Sequence, residues 1–476
     1  MRVINPSTGE VITELQEAGA AEAQQAVAKA REEFDRGAWP RIPLAERKKI
    51  ILAIAQGILE NAGMLAKLET ENCGKPIKET TFMDVPSSAR AFAYFAEHLE
   101  EFLQAESRQV AAEAEARLLR EPLGVAVLIV PWNYPLLIAS WKVSQALAAG
   151  NCVILKPSSR TPLTALELRK IALAVGVPEA ALQVIVGGGE AVGEALCADK
   201  RVDMISFTGS NAVGKKILNY ASENVKKLNM ELGGKSAGII LEDADLEAAV
   251  NGSLCSIMLN QGQMCTAMSR ILVQEKIYDQ FIADFSAKAR QIKLGLGIDY
   301  QTQMGPLISQ AQRKRVADYA QEALQEGAQL ICGGKAPAAL ELKNGFFFEP
   351  TIFSGVTPQM AIFQQEVFGP VSCVSKFSTL QEAADLANTT DFALAASIWS
   401  KDVKAAQELA AKINAGTIWI NTYGMFYEEL PFGGFKQSGF GKELGKEGFL
   451  EYTRLKTVVA DQSKDSKPLV NYWYGF

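Results

Sequence analysis

From residue 125 onward, short apolar segments alternate with longer segments of helical periodicity. VAVLIVPW is followed by LLIASWKVSQALAAG, then by CVILKPS and by LTALELRKIALAVG. This alternation favours a parallel sheet covered by helices, because parallel neighbouring strands need a crossover connection. A second series begins near SAGIILED (236–243) and reaches GTIWIN. We therefore predict an α/β fold with two lobes.

Composition limits the functional classes. The chain has 476 residues, 48% of them hydrophobic, and a net charge of −6 without long runs of one sign, so two or more domains and no nucleic-acid partner are expected. Its seven cysteines are scattered and it has one histidine, which argues against disulfides and against a metal site. The start MRVINPSTGEVITEL lacks a signal pattern, and the apolar run 125–141 is interrupted by prolines. We expect a soluble, cytoplasmic protein with no membrane partner.

One segment could form a projecting hairpin, and another suggests a subunit contact. AESRQVAAEAEARLLREPLG (105–124) alternates polar and apolar residues, as in a projecting hairpin, and the C-terminal tail is rich in aromatic residues. A tail folded onto its own chain is the alternative.

Three polar positions stand in unusual surroundings. Cys265 lies in LNQGQMCTAMSR, a polar turn with a glycine, although cysteines are usually plain core residues. Glu231 ends an apolar segment before Gly-Gly, so its pKa should be raised and it could act as a base, unless it is salt-bridged. Asn133, between aromatics and prolines in VPWNYP, could donate to an oxyanion or bond its own backbone.

Two strand ends suggest a nucleotide. In SFTGSNAVGKKI, Gly209 and Ser210 lie between a strand and a helix, where free N–H groups favour a phosphate. VILKPSSRTP ends another strand at Lys156, where a ribose could be held.

FTGS, MELGGKS, GQMC, EVFGPV and PFGGFKQSGFG occur in this order, and together they resemble the aldehyde dehydrogenase superfamily over nearly the whole chain. The resemblance implies a Rossmann-like cofactor domain (1–104 and 125–232), a second α/β catalytic domain (233–455) and a small β oligomerisation arm (105–124 and 456–476). It also implies a homodimer or homotetramer.

The resemblance assigns catalytic roles. It implies that Cys265 is the nucleophile, that Glu231 is the base and that Asn133 stabilises the oxyanion. The expected reaction is the irreversible NAD- or NADP-dependent oxidation of an aldehyde to the acid, through a cysteine thiohemiacetal and a thioester. Relatives that transfer the acyl group to coenzyme A lack such a glutamate, and retention of all three residues argues against a non-catalytic protein.

The cofactor residues implied by the resemblance are Trp132, Lys156, Ser159, Gly209, Ser210, Glu366 and Phe368. Ser159 departs from the glutamate that NAD-preferring members often carry there. A glutamate would repel a 2′-phosphate and a serine would not, so the preference between NAD and NADP stays open.

Within the superfamily, WNYPLLIASWK and CTAMSR look most like the betaine-aldehyde and ω-aminoaldehyde dehydrogenases. Tyr134, Trp141 and Phe432 match aromatic positions that would hold an ammonium group by cation–π contact. Thr417 matches a position that controls room for the head group, and Glu428 and Glu429, just before Phe432, would steer a cation inward. Rings that merely line a tunnel for general aliphatic, aromatic or semialdehyde substrates are the alternative.

Overall fold

The computed structural model describes residues 1–111, 114–222, 224–462 and 473–475. Its strands are β1 Arg2–Ile4, β2 Val11–Glu14, β3 Glu106–Ala111, β4 Ala114–Pro122, β5 Val125–Ile129, β6 Cys152–Lys156, β7 Leu182–Val184, β8 Met204–Thr208, β9 Lys227–Glu231, β10 Ala237–Ile240, β11 Arg270–Gln274, β12 Gln329–Cys332, β13 Thr351–Ser354, β14 Val371–Phe377, β15 Phe392–Ala393, β16 Ala395–Trp399, β17 Thr417–Ile420, β18 Phe435–Lys436, β19 Gly439–Phe440 and β20 Thr453–Asp461. Its helices are α1 Ala20–Arg36, α2 Leu44–Glu60, α3 Ala62–Cys73, α4 Ile77–Glu79, α5 Val85–Phe102, α6 Pro135–Ala149, α7 Leu163–Ala174, α8 Glu194–Ala198, α9 Asn211–Ala221, α10 Leu246–Met258, α11 Tyr278–Ala289, α12 Gln310–Gln325, α13 Ala361–Gln364, α14 Leu380–Asn388, α15 Val403–Ala410 and α16 Gly445–Glu451.

The first large sheet has the strand order β19-β9-β8-β5-β6-β7. All its neighbouring pairs are parallel except β19 with β9. The chain first adds β6 and β7 on one side of β5 and then β8 and β9 on the other. This reversal creates a switch point between β5 and β8, where open α/β sheets bind ligands beyond the carboxyl ends of their strands.

The second large sheet has the order β12-β13-β14-β11-β10-β16-β17 and is parallel except for the edge strand β12. Both large sheets therefore confirm the predicted α/β class. Helix α6 follows β5 and is buried along nearly its whole length, which explains its apolar sequence. It nevertheless contains the fully buried cation Lys142.

The chain returns to the first sheet near its C-terminal end. The division predicted from sequence placed residues 233–455 in the catalytic domain, but β19 pairs with β9 and α16 packs against α5 and α6. Residues 439–451 therefore contact the first sheet and its helices. The pairing of Gly439 with Glu231 needs a close approach of the two backbones. The sequence around Gly439 has no apolar periodicity from which this pairing could be predicted.

A third, antiparallel sheet has the order β20-β4-β3. The β3–β4 pair is the hairpin expected from the alternation at 105–124. The predicted arm runs to residue 476, and its residues 463–472 and 476 lie outside the described residues.

No single helix in the described ranges is long and apolar enough to cross a lipid bilayer; α2 and α3, bent by 71° where they meet, reach that length and composition only as a pair.

The contact between β19 and β9 generates a stability prediction. Gly439 has φ +119°, and a Cβ there would come 1.8 Å from the Met230 carbonyl oxygen. Gly327 also has positive φ (+97°) but no atom within 4 Å of its Cβ position, so it is a matched control for backbone strain alone. We predict that Gly439→Ala lowers the thermal unfolding midpoint at least about 3 °C more than Gly327→Ala does. Equal shifts in calorimetry would show that this pairing tolerates the clash.

Candidate active site

The predicted site residues come from two facing sheet edges. Asn133 follows β5, Lys156 ends β6, Gly209 follows β8 and Glu231 ends β9, so all four lie at the carboxyl edge of the first sheet. Cys265, Glu366 and Phe368 precede β11 and β14, and so belong to the amino edge of the second sheet. The site therefore lies between the two lobes, as the β-α order of the chain requires.

One cavity of about 250 Å³ joins the predicted catalytic and substrate residues. Cys265, Glu231, Asn133, Tyr134, Trp141 and Phe432 all line it. Its other lining residues are Phe82, Met83, Asp84, Ser87, Arg90, Leu137, Ile138, Thr208, Leu259, Met264, Thr266, Gly424, Met425, Phe426, Glu428, Glu443 and Leu444. The wall is thus mostly apolar and aromatic, with a few charged groups.

The turn before Cys265 is conformationally unusual. Asn260, Gln261 and Gly262 all have positive φ, at 45°, 56° and 69°. A Cβ at Gly262 would come 2.1 Å from the Gly369 carbonyl oxygen, which explains the glycine. Strain of this kind persists where the surroundings over-determine the backbone, as they do at functional sites.

Asn133 is tied directly to this turn. Its Nδ2 donates to the Gln263 carbonyl oxygen at 2.7 Å, and its own carbonyl oxygen accepts from Asn260 Nδ2 at 2.9 Å. An amide nitrogen has two N–H bonds, so the second remains available to a ligand in the cavity. The Asn133 side chain is therefore bonded to the cysteine turn rather than to its own backbone.

Cys265 is half-buried and lines the cavity as a free thiol. Burial raises the pKa of Cys265 to about 12, and the nearby carboxyl groups of Glu366 and Glu231 act in the same direction. The reactive thiolate therefore needs a base or a change in local charge before it forms.

Glu231 is the base that the geometry offers. Its side chain is buried, and neither carboxyl oxygen has a hydrogen-bond partner within the described structure. Burial raises the pKa of Glu231 well above its usual range, and the negative charge of Glu443 adds to this, whereas Lys142 and Lys442 oppose it. A buried, unpaired carboxyl group with a raised pKa is typical of a general base that works near neutral pH.

Glu443, also on the cavity wall, has the opposite environment. It accepts hydrogen bonds from Lys142 Nζ, from Ser206 Oγ at 3.2 Å, from Gln145 Nε2 at 3.1 Å and from Asn229 Nδ2 at 3.2 Å. These bonds hold it as the partner of a buried lysine. Sequence reasoning missed this cluster, although a lysine inside the apolar helix LLIASWKVSQALAA was a signal for it.

Three of the predicted cofactor residues follow or end strands at the carboxyl edge of the first sheet. Lys156 is buried, burial lowers the pKa of its ammonium group, and its hydrogen bond to the Pro157 carbonyl oxygen is long at 3.4 Å. Ser159 Oγ donates to the Gly187 carbonyl oxygen at 3.0 Å. Ser210 caps α9 through Val213 N. A buried cation with a long hydrogen bond and a helix start at the same edge of the sheet fit the hydroxyl and phosphate groups of a dinucleotide.

Contacts across the lobes involve the remaining cofactor residues. The rings of Trp132 and Phe368 meet edge to face, with centroids 5.2 Å apart. Glu366 Oε1 accepts from Gly234 N at 3.0 Å, and burial raises the pKa of Glu366 to about 7. Both pairs join a residue beside the first sheet to the EVFGPV segment.

Aromatic rings form one wall of the cavity. The Trp141 centroid lies 6.0 Å from that of Phe432 and 5.7 Å from that of Phe426, and the two phenylalanine centroids are 5.3 Å apart. Two backbone hydrogen bonds with Glu443, of 2.7 and 2.8 Å, hold Phe432 in place. Phe426 was missed in the sequence because it lies in the irregular segment TYGMFYEEL.

Two predicted substrate residues lie elsewhere. Thr417 begins the edge strand β17, where it pairs with Ala395, and does not line this cavity. Glu429 is exposed outside it, whereas its neighbour Glu428 lines it. Glu428 and Glu429 are the two central residues of a turn closed by the hydrogen bond from Leu430 N to the Tyr427 carbonyl oxygen. This local turn explains why only one of the two glutamates lines the cavity.

Comparison with known proteins identifies the class. The model of the aldehyde dehydrogenase family matches residues 1–458. The chain belongs to this family and is an NAD(P)-dependent aldehyde dehydrogenase.

Individual relatives show which members of the family this chain is similar to. The chain is 44% identical to betaine aldehyde dehydrogenase of Bacillus subtilis over 472 residues, covering 99% of this chain and 95% of the relative. It is 38% identical to human retinal dehydrogenase 2, covering 96% and 88%. The crystal structure of betaine aldehyde dehydrogenase from Staphylococcus aureus in complex with NAD+ matches with a TM-score of 0.96 and 41% identity, covering 100% and 93%.

The cysteine assignment generates a prediction with an internal control. Cys265→Ser should lower the oxidation rate at least about 10³-fold, because a hydroxyl is a far weaker nucleophile at neutral pH, while binding of NAD measured by fluorescence persists. Cys255 is exposed and does not line the cavity, so Cys255→Ser should keep parental turnover. Loss of activity in Cys255→Ser alone would overturn the assignment.

Proposed function

We propose that the protein oxidises a cationic aldehyde, betaine aldehyde in the first place, to the carboxylic acid. The supporting observation is that Tyr134, Trp141, Phe426 and Phe432 line one cavity with Cys265. Aromatic faces attract ammonium groups by roughly 0.5–2 kcal/mol each. The similarity to betaine aldehyde dehydrogenases of two bacteria supports the same substrate.

Each catalytic side chain has a distinct task in this proposal. In its ionised form, Glu231 removes the proton of the Cys265 thiol, directly or through water, and the sulfur attacks the aldehyde carbon. The carbonyl oxygen becomes an alkoxide, and the free N–H of Asn133 stabilises its charge. The result is a thiohemiacetal on Cys265.

Loss of hydride from the thiohemiacetal gives a thioester. A bound nicotinamide dinucleotide supplies the hydride acceptor and a positive charge that favours the thiolate. Glu231 then releases the thiol proton to solvent and, ionised again, takes a proton from the water that attacks the thioester carbon. The acid leaves, and the proton on Glu231 passes to the sulfur and restores the thiol. A carboxyl group without fixed hydrogen bonds is suited to both proton transfers.

The residues that would hold the dinucleotide are those at the carboxyl edge of the first sheet and on the EVFGPV segment. Lys156 and Ser159 would contact the adenosine ribose, and the helix start at Gly209 and Ser210 would contact the pyrophosphate. Glu366 and Phe368, with Trp132, would bound the nicotinamide end. We propose that both NAD and NADP are accepted, since Ser159 brings no negative charge to the ribose.

We further propose a cytoplasmic homodimer or homotetramer assembled through the third sheet. Support comes from its apolar side chains Val110, Leu455, Val458 and Val459, which are exposed in the single chain. All seven cysteines are unpaired, which suits a reducing compartment.

Cation recognition can be tested with two substrates of nearly the same shape. Betaine aldehyde and 3,3-dimethylbutanal differ by replacement of the quaternary nitrogen with carbon. We predict at least about tenfold higher kcat/KM for betaine aldehyde, corresponding to about 1.4 kcal/mol of selective stabilisation. Equal kcat/KM values would mean that the rings only pack the tunnel.

Glu231→Gln should separate the two chemical steps. The amide has nearly the same shape but cannot accept a proton, so thioester hydrolysis should slow more than hydride transfer. Stopped-flow absorbance should show a burst of reduced cofactor followed by turnover at least about tenfold slower than in the parent.

Glu443→Gln is the comparison for Glu231→Gln. It leaves the buried Lys142 without its charged partner and should therefore lower thermal stability. Parental steady-state rates in Glu231→Gln would assign the base to another group.

Ser159→Glu should create a bias toward NAD. The new carboxylate would repel the 2′-phosphate of NADP and lower the NADP-to-NAD ratio of kcat/KM at least about fivefold after screening. Ser159→Gln has the same size without the charge and should change this ratio much less. If the parent already rejects NADP as strongly as Ser159→Glu does, another feature closes the ribose pocket.

A further inference from the structure

The charged groups on the cavity wall are balanced in different ways. Asp84 is paired with the buried Lys75, and Glu443 is paired with the buried Lys142. Burial raises the pKa of Glu231 and so favours its neutral form. These groups therefore add little net charge to the inner part of the cavity.

The remaining charged pair on the wall is Arg90 with Glu428. Arg90 Nε donates to Glu428 Oε1 at 3.2 Å, and both residues line the cavity although they are 338 positions apart in the chain. Arg90 belongs to α5, whereas Glu428 belongs to the segment between β17 and β18. The pair thus connects two parts of the wall that are distant in the sequence.

This pair lies at the open end. The Arg90 side chain is 56% exposed, and the neighbouring wall residues Phe82 and Met425 are also exposed. The Glu428 side chain is only 13% exposed, so its carboxylate is poorly screened by water once Arg90 no longer neutralises it.

Several features hold the pair in position. Arg90 Nη2 donates to Ser87 Oγ at 2.7 Å, one turn earlier on α5. The Glu428 carbonyl oxygen accepts from Gly445 N at 2.9 Å. Burial raises the pKa of the Tyr94 hydroxyl, and the carboxylates of Glu429, Glu101, Glu447 and Glu428 act in the same direction, but of these four only Glu428 lines the cavity. Loss of Arg90 would therefore leave an acidic mouth.

We propose that the Arg90–Glu428 ion pair determines the charge selectivity of the substrate cavity. Paired, the two groups leave the mouth nearly neutral, so aromatic contacts rather than a net field distinguish substrates. Removal of one partner leaves the mouth with a net charge of the same sign as the remaining partner. The inference rests on aldehyde oxidation in this cavity but not on the proposed preference for betaine aldehyde.

This selectivity can be measured with three aldehydes of different charge: betaine aldehyde (cationic), 3,3-dimethylbutanal (neutral) and succinic semialdehyde (anionic). The measured quantity is the ratio of kcat/KM for each charged aldehyde to that for the neutral one. A ratio within one preparation is independent of the active fraction, so partial misfolding of a variant does not affect it.

Arg90→Gln should raise the cationic-to-neutral ratio and lower the anionic-to-neutral ratio, each by about three- to tenfold at low salt. Glu428→Gln should change both ratios in the opposite directions. The double variant should return near the parental ratios, because it restores a neutral mouth. All shifts should shrink as salt screens the field.

Arg169→Gln is the matched control. Arg169 pairs with Glu179 at 2.8 Å outside the cavity, so this variant changes the net charge of the protein equally and should leave both ratios at the parental values. The proposal would be overturned if either single variant changed the ratios less than twofold. It would also be overturned if Arg90→Gln and Glu428→Gln changed a ratio in the same direction. Equal shifts in Arg169→Gln would overturn it as well, by assigning the effect to overall charge. A parent that does not prefer betaine aldehyde would refute only the proposed substrate.

Discussion

Cys265 is half-buried and Glu231 is buried at the boundary between two sheets, and the chemistry of the site depends on the partial or full desolvation of both groups. A buried thiol and a buried carboxyl group without an ion-pair partner both favour their neutral forms. The pair can therefore rest without charge and ionise when a ligand changes the local field. Such an arrangement needs no histidine, and the single histidine of the chain, His98, does not line the cavity.

The surrounding charges make this desolvation possible. Lys142 and Glu443 neutralise each other beside Glu231, and their remaining hydrogen-bonding capacity is taken up by Ser206, Gln145 and Asn229. A buried ion pair is a costly arrangement when one partner is removed, so this cluster is expected to be rigid. Glu231 differs from Glu443 only in its surroundings: within the described structure the carboxyl oxygens of Glu231 have no hydrogen-bond partner, whereas those of Glu443 are held by Lys142 and three further donors.

Much of the fold could be predicted because it follows from short-range patterns. The strand ends that carry Asn133, Lys156 and Gly209 were visible as apolar runs closed by polar or glycine residues, and the family motifs located Cys265 and Glu231. The return of residues 439–451 to the first sheet could not be predicted, since two-residue pairing leaves no periodicity. Glu428 could not be distinguished from Glu429 for a similar reason, because an irregular turn decides which of the two faces the cavity.

The central claim, that desolvation keeps Cys265 protonated at rest, can be measured directly. The rate of alkylation of Cys265 by iodoacetamide would be followed by peptide mass spectrometry in cofactor-free Cys255→Ser protein between about pH 6 and about pH 9.5. A thiol with a pKa near 12 should react about tenfold faster per pH unit across this range, without a plateau. An inflection below about pH 8.5, the value of an ordinary cysteine, would contradict the account, because it would mean that the resting site already stabilises the thiolate.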